Sequence, residues 1–203
     1  MTLPVALLMF GFLIVAQCCT PEPGAVNVAR NGTASQSSDQ QFRVMGYASK
    51  AIDGNTEGDF HKGFCTHTKD EYEPWWDLDL KKTYNISSIV ITNRRDCCAQ
   101  RLLGAEVRIG DSPDRKNPVC SNVTDVSKPR ISLCCSGMLG RYVSVEMTER
   151  LEVLTLCEVE VYGKEKVAMY AGNTAWTVIS GNVWRTSNLV IFLLLYYFIT
   201  NLP

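Results

Sequence analysis

The stretch Trp75-Trp76-Asp77-Leu78-Asp79-Leu80 sets an apolar side chain at every second position, with carboxylates between. Successive side chains of a strand point to opposite faces, so this period marks one buried and one wetted face. The alternation returns on moving outward. Ile86 leads into Ile89-Val90-Ile91; Ala105, Val107 and Ile109 alternate with Glu106 and Arg108. Further on, Val143, Val145 and Met147 alternate with Ser144 and Glu146, and Val159 and Val161 with Glu158 and Glu160. Gly, Pro, Asn and Asp punctuate these runs, as turns require. From Val26 to Gly163 the pattern is all-β, and several strands of this kind in one domain predict a β-sandwich or jelly roll. Trp75 and Trp76 are expected in its core or at its rim.

A chain of 203 residues leaves room for one domain with a proper core once its ends are set aside. Twenty Lys and Arg against 21 Asp and Glu give a formal charge of −1. That balance offers no broad basic surface for phosphates and argues against nucleic acid as a partner.

Residues 1–18 read as a signal peptide, because Leu3 to Ala16 is an apolar run too short to span a bilayer. Cleavage after Cys18, with Ala16 three residues before the cut, is the expected processing. Nine cysteines then take their meaning from export: Cys18 and Cys19 at the boundary, and seven between Cys65 and Cys157. Zinc is the competing reading, but no Cys-x-x-Cys pair occurs and adjacent cysteines fit a tetrahedral ion poorly. Sequons at Asn31, Asn85 and Asn122 agree with a secreted or extracellular location. After Gly163 the pattern lapses. Residues 164–188 read as linker or stalk, and 189–203 as a hydrophobic tail. Small residues Ser180, Gly181 and Asn182 before that tail fit in part a lipid-anchor signal and hence membrane attachment; a marginal membrane tail or an unusual C-terminal extension is the other reading.

Between two of the strands lies Thr92-Asn93-Arg94-Arg95-Asp96-Cys97-Cys98-Ala99-Gln100-Arg101-Leu102. Loops on a rigid scaffold are where binding groups gather. Arg94 and Arg101 are planar donor forks able to converge on the oxygens of one small polar ligand. Asp96 between them holds the forks and offsets their charge. A Cys97–Cys98 bond would close a ring on adjacent residues, removing almost no loop entropy, so stability does not explain it. As a compact apolar knob beside two arginines it suits the edge of a sugar ring. The alternative is that each cysteine pairs elsewhere.

These residues carry a resemblance. Cys65-Thr66-His67-Thr68, the 75–80 strand, ITNRRDCCAQRL, GAEVRIGDS, GMLGRYVSVE and LCEVEVYG are similar to the F-type lectins, or fucolectins, over about Val26 to Gly163. The family motif, a His, a long spacer, then Arg-x-Asp with a further basic residue, reads here as His67, Arg94, Asp96 and Arg101. The resemblance implies an eight-stranded β-sandwich jelly roll related to discoidin and coagulation-factor C domains, spanning 24–163, and recognition of terminal L-fucose on glycans. It implies that His67, Arg94 and Arg101 donate to the sugar and that the Cys97–Cys98 ring packs on its apolar edge. Phe60 stands where the family places an aromatic near the fucose methyl. His61 stands where a Tyr is common, and Ser37 to Tyr47 corresponds to a specificity loop.

The resemblance also implies a structural calcium ion. Asp53-Gly54-Asn55, on its own a turn signal, would help hold it together with Glu158 and the main-chain carbonyls of Lys50, Phe64 and Cys157, oxygen donors suited to a hard cation. A Cys65–Cys157 disulfide would bring these segments together. Cys120 pairs with Cys134 or Cys135, with Cys135 favoured; the thiol left over is expected to meet Cys19 or to bridge two chains into a homo-oligomer.

Three functions compete. A lectin for fucosylated glycans, acting in innate immune recognition, accounts for the motif. A glycosidase needs two carboxylates flanking a bond, and only Asp96 lies near the motif. A discoidin-like adhesion module without sugar binding would not be expected to keep His67, Arg94 and Arg101 together.

Overall fold

The computed structural model describes residues 19–41, 44–166, 176–179 and 182–185. The chain divides into two compact units, 1–166 and 167–203. In the second, strand β10 (Trp176–Ile179) pairs antiparallel with β11 (Asn182–Arg185), within the segment expected as linker. The first unit holds the nine strands that precede them.

Strands β1 (Val26–Asn27), β2 (Thr33–Gln36), β3 (Glu71–Tyr72), β4 (Trp75–Thr92) and β5 (Glu106–Gly110) are followed by β6 (Val119–Asn122), β7 (Arg130–Glu146), β8 (Leu151–Glu152) and β9 (Glu158–Glu165). All pairings are antiparallel. The main sheet runs β1-β9-β4-β7-β5-β6, with β2 added to β4, and β3 pairs with β8 apart from it. The expected jelly-roll architecture is all-β as read, but two elements exceed single strands. Both β4 and β7 run through register shifts between Asp79 and Tyr84 and between Ile86 and Ser88, and Lys81 adopts φ 68°. Such irregularities bend a strand and let one segment serve both layers of a sandwich.

The 75–80 alternation behaves as its period requires. Trp76, Leu78 and Leu80 are buried, whereas Trp75, Asp77 and Asp79 are half-buried. Trp76 meets the demand of a buried indole by donating Nε1–H to Ala48 O at 2.9 Å. Trp75 instead lies at the rim under Arg115, whose guanidinium carbon is 4.2 Å from the ring centroid. From Ile86 to Thr92 every residue is buried, because β4 there lies between β7 and β9. The core joins these residues to Val107, Ile109, Val143, Val145, Leu156, Val159 and Val161.

Both ends of β4 arrive at the same group of loops. Near its start, Gln36 of the paired strand donates to Gly46 O and to His67 O. At its finish, Thr92 O accepts the Cys157 N–H at 2.9 Å, and Thr66 N–H reaches Leu156 O at 2.7 Å. His67 and Arg94 are thereby delivered to one end of the molecule.

Four disulfides fasten the described residues: Cys19–Cys134, Cys65–Cys157, Cys97–Cys98 and Cys120–Cys135. The leftover thiol of Cys134 thus finds Cys19 within its own chain. The expected signal peptide and the hydrophobic tail lie outside the described residues.

Candidate functional site

His67 is placed by its two neighbours. Thr66 and Thr68 are buried, and their backbones and hydroxyls bond to Leu156 and Leu154 in a double ladder of 2.7–3.0 Å contacts. Period two then turns His67 to the opposite face. Its backbone is held from that side by Gly46 O, which accepts the His67 N–H at 2.9 Å, and by Gln40 N–H on His67 O at 2.8 Å. A β-carbon at Gly46 would sit 2.5 Å from His67 N, so only glycine permits this approach.

The imidazole Nδ1 lies 2.7 Å from Thr68 O. A carbonyl only accepts, so Nδ1 carries the hydrogen and the neutral ring presents Nε2 as an acceptor. Burial, together with the nearby charges of Arg94 and Arg101, holds the His67 pKa below its ordinary value and favours that neutral ring. With its hydrogen committed to that carbonyl, the neutral ring leaves the Nε2 lone pair facing away from Thr68.

Arg94 is 7 % exposed and locked by Asp96. Its Nε lies 3.0 Å from Asp96 Oδ1, and its Nη2 lies 2.6 Å from Oδ2. Asp96 Oδ1 also accepts the Phe60 N–H at 2.9 Å. The Arg94 partnership holds the Asp96 carboxyl down to about 2, so it stays ionised at any ordinary pH. The arginine's carbon lies 4.6 Å from the Phe60 ring centroid, and Phe60 and His67 are tilted together at 4.8 Å. Asp96, expected to orient arginine, does so, and it also anchors the turn that carries the aromatic.

That turn, Phe60–Lys62, is a single 3-10 turn capped by Asp59, whose carboxylate accepts the His61 N–H, and closed by Gly63 at φ 89°. Phe60 points inward and is buried against the Cys65–Cys157 disulfide. His61 points outward: its ring is 5.9 Å from Phe60 and its Nε2 lies 3.7 Å from Asp96 Oδ2. The imidazole therefore stands over the same carboxylate that fixes Arg94.

Cys97 and Cys98 are exposed and joined, with Cys98 in the left-handed region at φ 61°. The chain then enters the 3-10 turn Ala99–Leu102, in which Arg101 N–H bonds to Cys98 O at 3.1 Å. Asn93 steadies the loop base by donating to Ala99 O at 3.0 Å. Arg150 clamps the turn from outside, with Nη2 2.8 Å from both Arg101 O and Leu103 O. The Arg101 guanidinium faces a carboxylate the sequence did not single out, Glu152, with Nε 3.7 Å from its Oε1. No sequence signal tied Glu152 to the motif, because β8 is two residues long and its pairing with β3 has no pattern of its own.

Arg94 and His67 pack against the Phe60 ring, Arg101 lies near enough for its charge to act on His67, and the joined Cys97 and Cys98 are exposed on the loop between the two arginines. This arrangement suits a small neutral ligand with several hydroxyls and an apolar edge. Asp96 is committed to Arg94 and Phe60, so this carboxylate serves to hold the site together.

A second group of residues meets elsewhere. Glu158 is 1 % exposed; its Oε1 accepts the Gly54 N–H at 3.1 Å, while its Oε2 is buried with no partner. Burial first, and the Asp53 charge second, push this carboxyl up to about 8. Asp53 Oδ1 accepts the Asn55 N–H at 2.7 Å and Asn55 Oδ1 the Glu57 N–H at 2.9 Å. Lys50 in the preceding 3-10 turn has its pKa lowered by burial, against the pull of Asp53. Among the described residues no three His, Cys, Asp or Glu side chains gather as a metal centre. A cation here would rest on Asp53, Asn55 and Glu158 with the carbonyls of Lys50, Phe64 and Cys157. An orphaned buried carboxylate oxygen with a second carboxylate, Asp53, close by fits a hard divalent ion.

Residues 50–145 match the model of a NedA-like, galactose-binding domain. Fucolectin-6 of Anguilla japonica is 45 % identical over 140 residues, covering 66 % of this chain and 74 % of that protein. The fold superposes on a fucolectin from Morone saxatilis serum with a TM-score of 0.66 and 41 % identity, covering 70 % of this chain and 50 % of that one. A Streptococcus pneumoniae fucose binding module superposes at a TM-score of 0.62 and 31 % identity, covering 68 % of this chain and 98 % of the module. The chain belongs to the fucolectin, or F-type lectin, family.

Proposed function

We propose that this protein is a lectin that binds terminal L-fucose on glycans through His67, Arg94 and Arg101, and that it is not an enzyme. The observation that carries the reading is the joint placement of Arg94, Phe60 and His67 in one packed cluster held by Asp96. Arg94 and Arg101 donate to ring and hydroxyl oxygens, His67 Nε2 accepts one hydroxyl hydrogen, and the Cys97–Cys98 ring packs on the apolar edge. Phe60 lies beneath, where the methyl of a 6-deoxy sugar would rest. Fucolectin relatives, one of them from serum, support an extracellular place of action.

Calcium would brace the turn at Asp53 against the start of β9, as a structural ion outside the sugar site. Single sugar sites bind weakly, so clustering, by self-association or by a membrane-attached tail, would raise avidity. The three sequon asparagines, Asn31, Asn85 and Asn122, are exposed, as glycosylation requires.

Retention of the folded protein on immobilised L-fucose tests the reading. Selective elution by free fucose, not by mannose, is expected, and Arg101→Ala should abolish retention with the melting temperature nearly unchanged. A folded parent that passes straight through would leave a discoidin-like adhesion module as the better account.

A further inference from the structure

The proposed sugar site is short of acceptors. Arg94 and Arg101 only donate. Both oxygens of Asp96 are taken by Arg94, and Oδ1 also serves the Phe60 N–H. His67 Nε2 supplies one acceptor. A sugar hydroxyl that accepts from a guanidinium still carries a hydrogen, and leaving that hydrogen without a partner costs affinity.

Glu152 stands where a second acceptor is needed. Its Oε1 is 3.7 Å from Arg101 Nε, too long for a hydrogen bond but close enough for the two charges to hold each other in place. The Val153 N–H anchors the same oxygen at 2.9 Å, so the carboxylate is pinned by the backbone of the residue that follows it. Its other oxygen, Oε2, makes no hydrogen bond among the described residues. The side chain is 24 % exposed, reachable by a ligand without being loose. Glu71, its cross-strand partner, does not compete: Glu71 Oε1 accepts from the hydroxyls of Ser37 and Ser38 at 2.6 Å each. Arg150, from the same segment as Glu152, clamps the Arg101 and Leu103 carbonyls, so β8 and the Arg101 turn form one fastened unit.

We propose that Glu152 is a ligand-contacting, specificity-determining residue of this site, its free Oε2 accepting a hydroxyl hydrogen from the sugar beside Arg101. The inference rests on the lectin reading above. It makes the site selective for a sugar that presents a donor there, over one in which that hydroxyl is removed or methylated.

Calorimetric titration of the parent, Glu152→Ala and Glu152→Gln with fucose and with its single O-methyl ethers tests it. The parent should bind fucose and lose affinity for at least one ether. Glu152→Ala should bind fucose about tenfold to a hundredfold more weakly, the range of a charge-assisted hydrogen bond, with an unchanged melting curve. Toward the discriminating ether, Glu152→Ala and the parent should differ little, since neither can make the bond. Glu152→Gln, which keeps a neutral acceptor, should fall between. A Glu152→Ala variant that matches the parent toward every ligand overturns the inference and leaves the lectin reading intact. Equal weakening toward fucose and all ethers also overturns it, assigning Glu152 only to positioning Arg101. A folded parent that binds no fucose removes both.

Discussion

At the scale of single residues, His67 decides the chemistry of the site. Its Nδ1 hydrogen is committed to Thr68 O, so what faces a ligand is the Nε2 lone pair. Protonation would replace that acceptor with a donor and add a third positive charge beside Arg94 and Arg101. Burial and those two guanidinium groups resist it, which places the titration below the ordinary histidine range. The sign follows. Affinity for fucose should be level from pH 8 down through the ordinary histidine pKa, then fall about tenfold per unit once pH drops below the lowered one. Asp96, held down to about 2, stays charged through that window and does not contribute. Titrations at fixed salt between pH 8 and 4 would show it. Affinity that holds constant to pH 4 in a folded protein, or that rises on acidification, would return His67 to the role of donor.

Among elements, the short extended segment Cys65–Thr68 and its partner Leu154–Cys157 matter most, since they connect the core to the motif. The Thr66 and Thr68 hydroxyls accept the Leu156 and Leu154 N–H groups at 2.9 Å each, which makes the pair a rigid shelf. Gly46 closes it from the other side. Gly46→Ala would drive a methyl to within 2.6 Å of His67 Cβ and 2.9 Å of its Cα, both too close to be relieved by a side-chain rotation. The shelf must then move, at a cost of about 1–3 kcal/mol. The expected result is a lower melting temperature together with weaker fucose binding, read by thermal scan and calorimetry on one sample. Unchanged binding would mean that the loop before Tyr47 does not position His67. The same elements show what a sequence can convey. The alternation at 75–80 announced Trp76, Leu78 and Leu80 as core because period two is a local property of strands. The motif residues were legible because a resemblance tied them together, and Arg94, Asp96, Phe60 and His67 do meet. Less was visible of the bends in β4 and β7, since a bulge changes register without changing composition. The roles of Gly46 and Glu152 were hidden for another reason: each acts on a residue distant in sequence through a single contact.

At the scale of the whole molecule, the question is what the fold does with the buried Glu158. One oxygen has a backbone donor and the other has nothing, and Asp53 adds a like charge nearby. Burying an unpaired carboxylate is among the more damaging things a core can contain. The described residues nevertheless concentrate their fastenings around it: the Cys65–Cys157 bond precedes it directly, and Arg30 reaches Asp53 O at 3.3 Å from the neighbouring turn. A calcium ion would turn that liability into a tie between the Asp53 turn and β9. An ion present at about a hundredfold over its dissociation constant adds about 2.7 kcal/mol to stability. For a chain of this size that is a rise in melting temperature of about 5–10 °C. Excess chelator should therefore lower the melting temperature of the parent by that amount, and restored calcium should recover it. Glu158→Gln removes the charge but keeps the shape, so its melting temperature should be insensitive to chelator and no lower than that of the chelated parent. Magnesium, which demands tighter octahedral geometry, should recover less than calcium. A parent whose melting curve is the same with chelator and with calcium would mean that the buried carboxylate is simply protonated in the folded state, and that the turn at Asp53 holds without an ion.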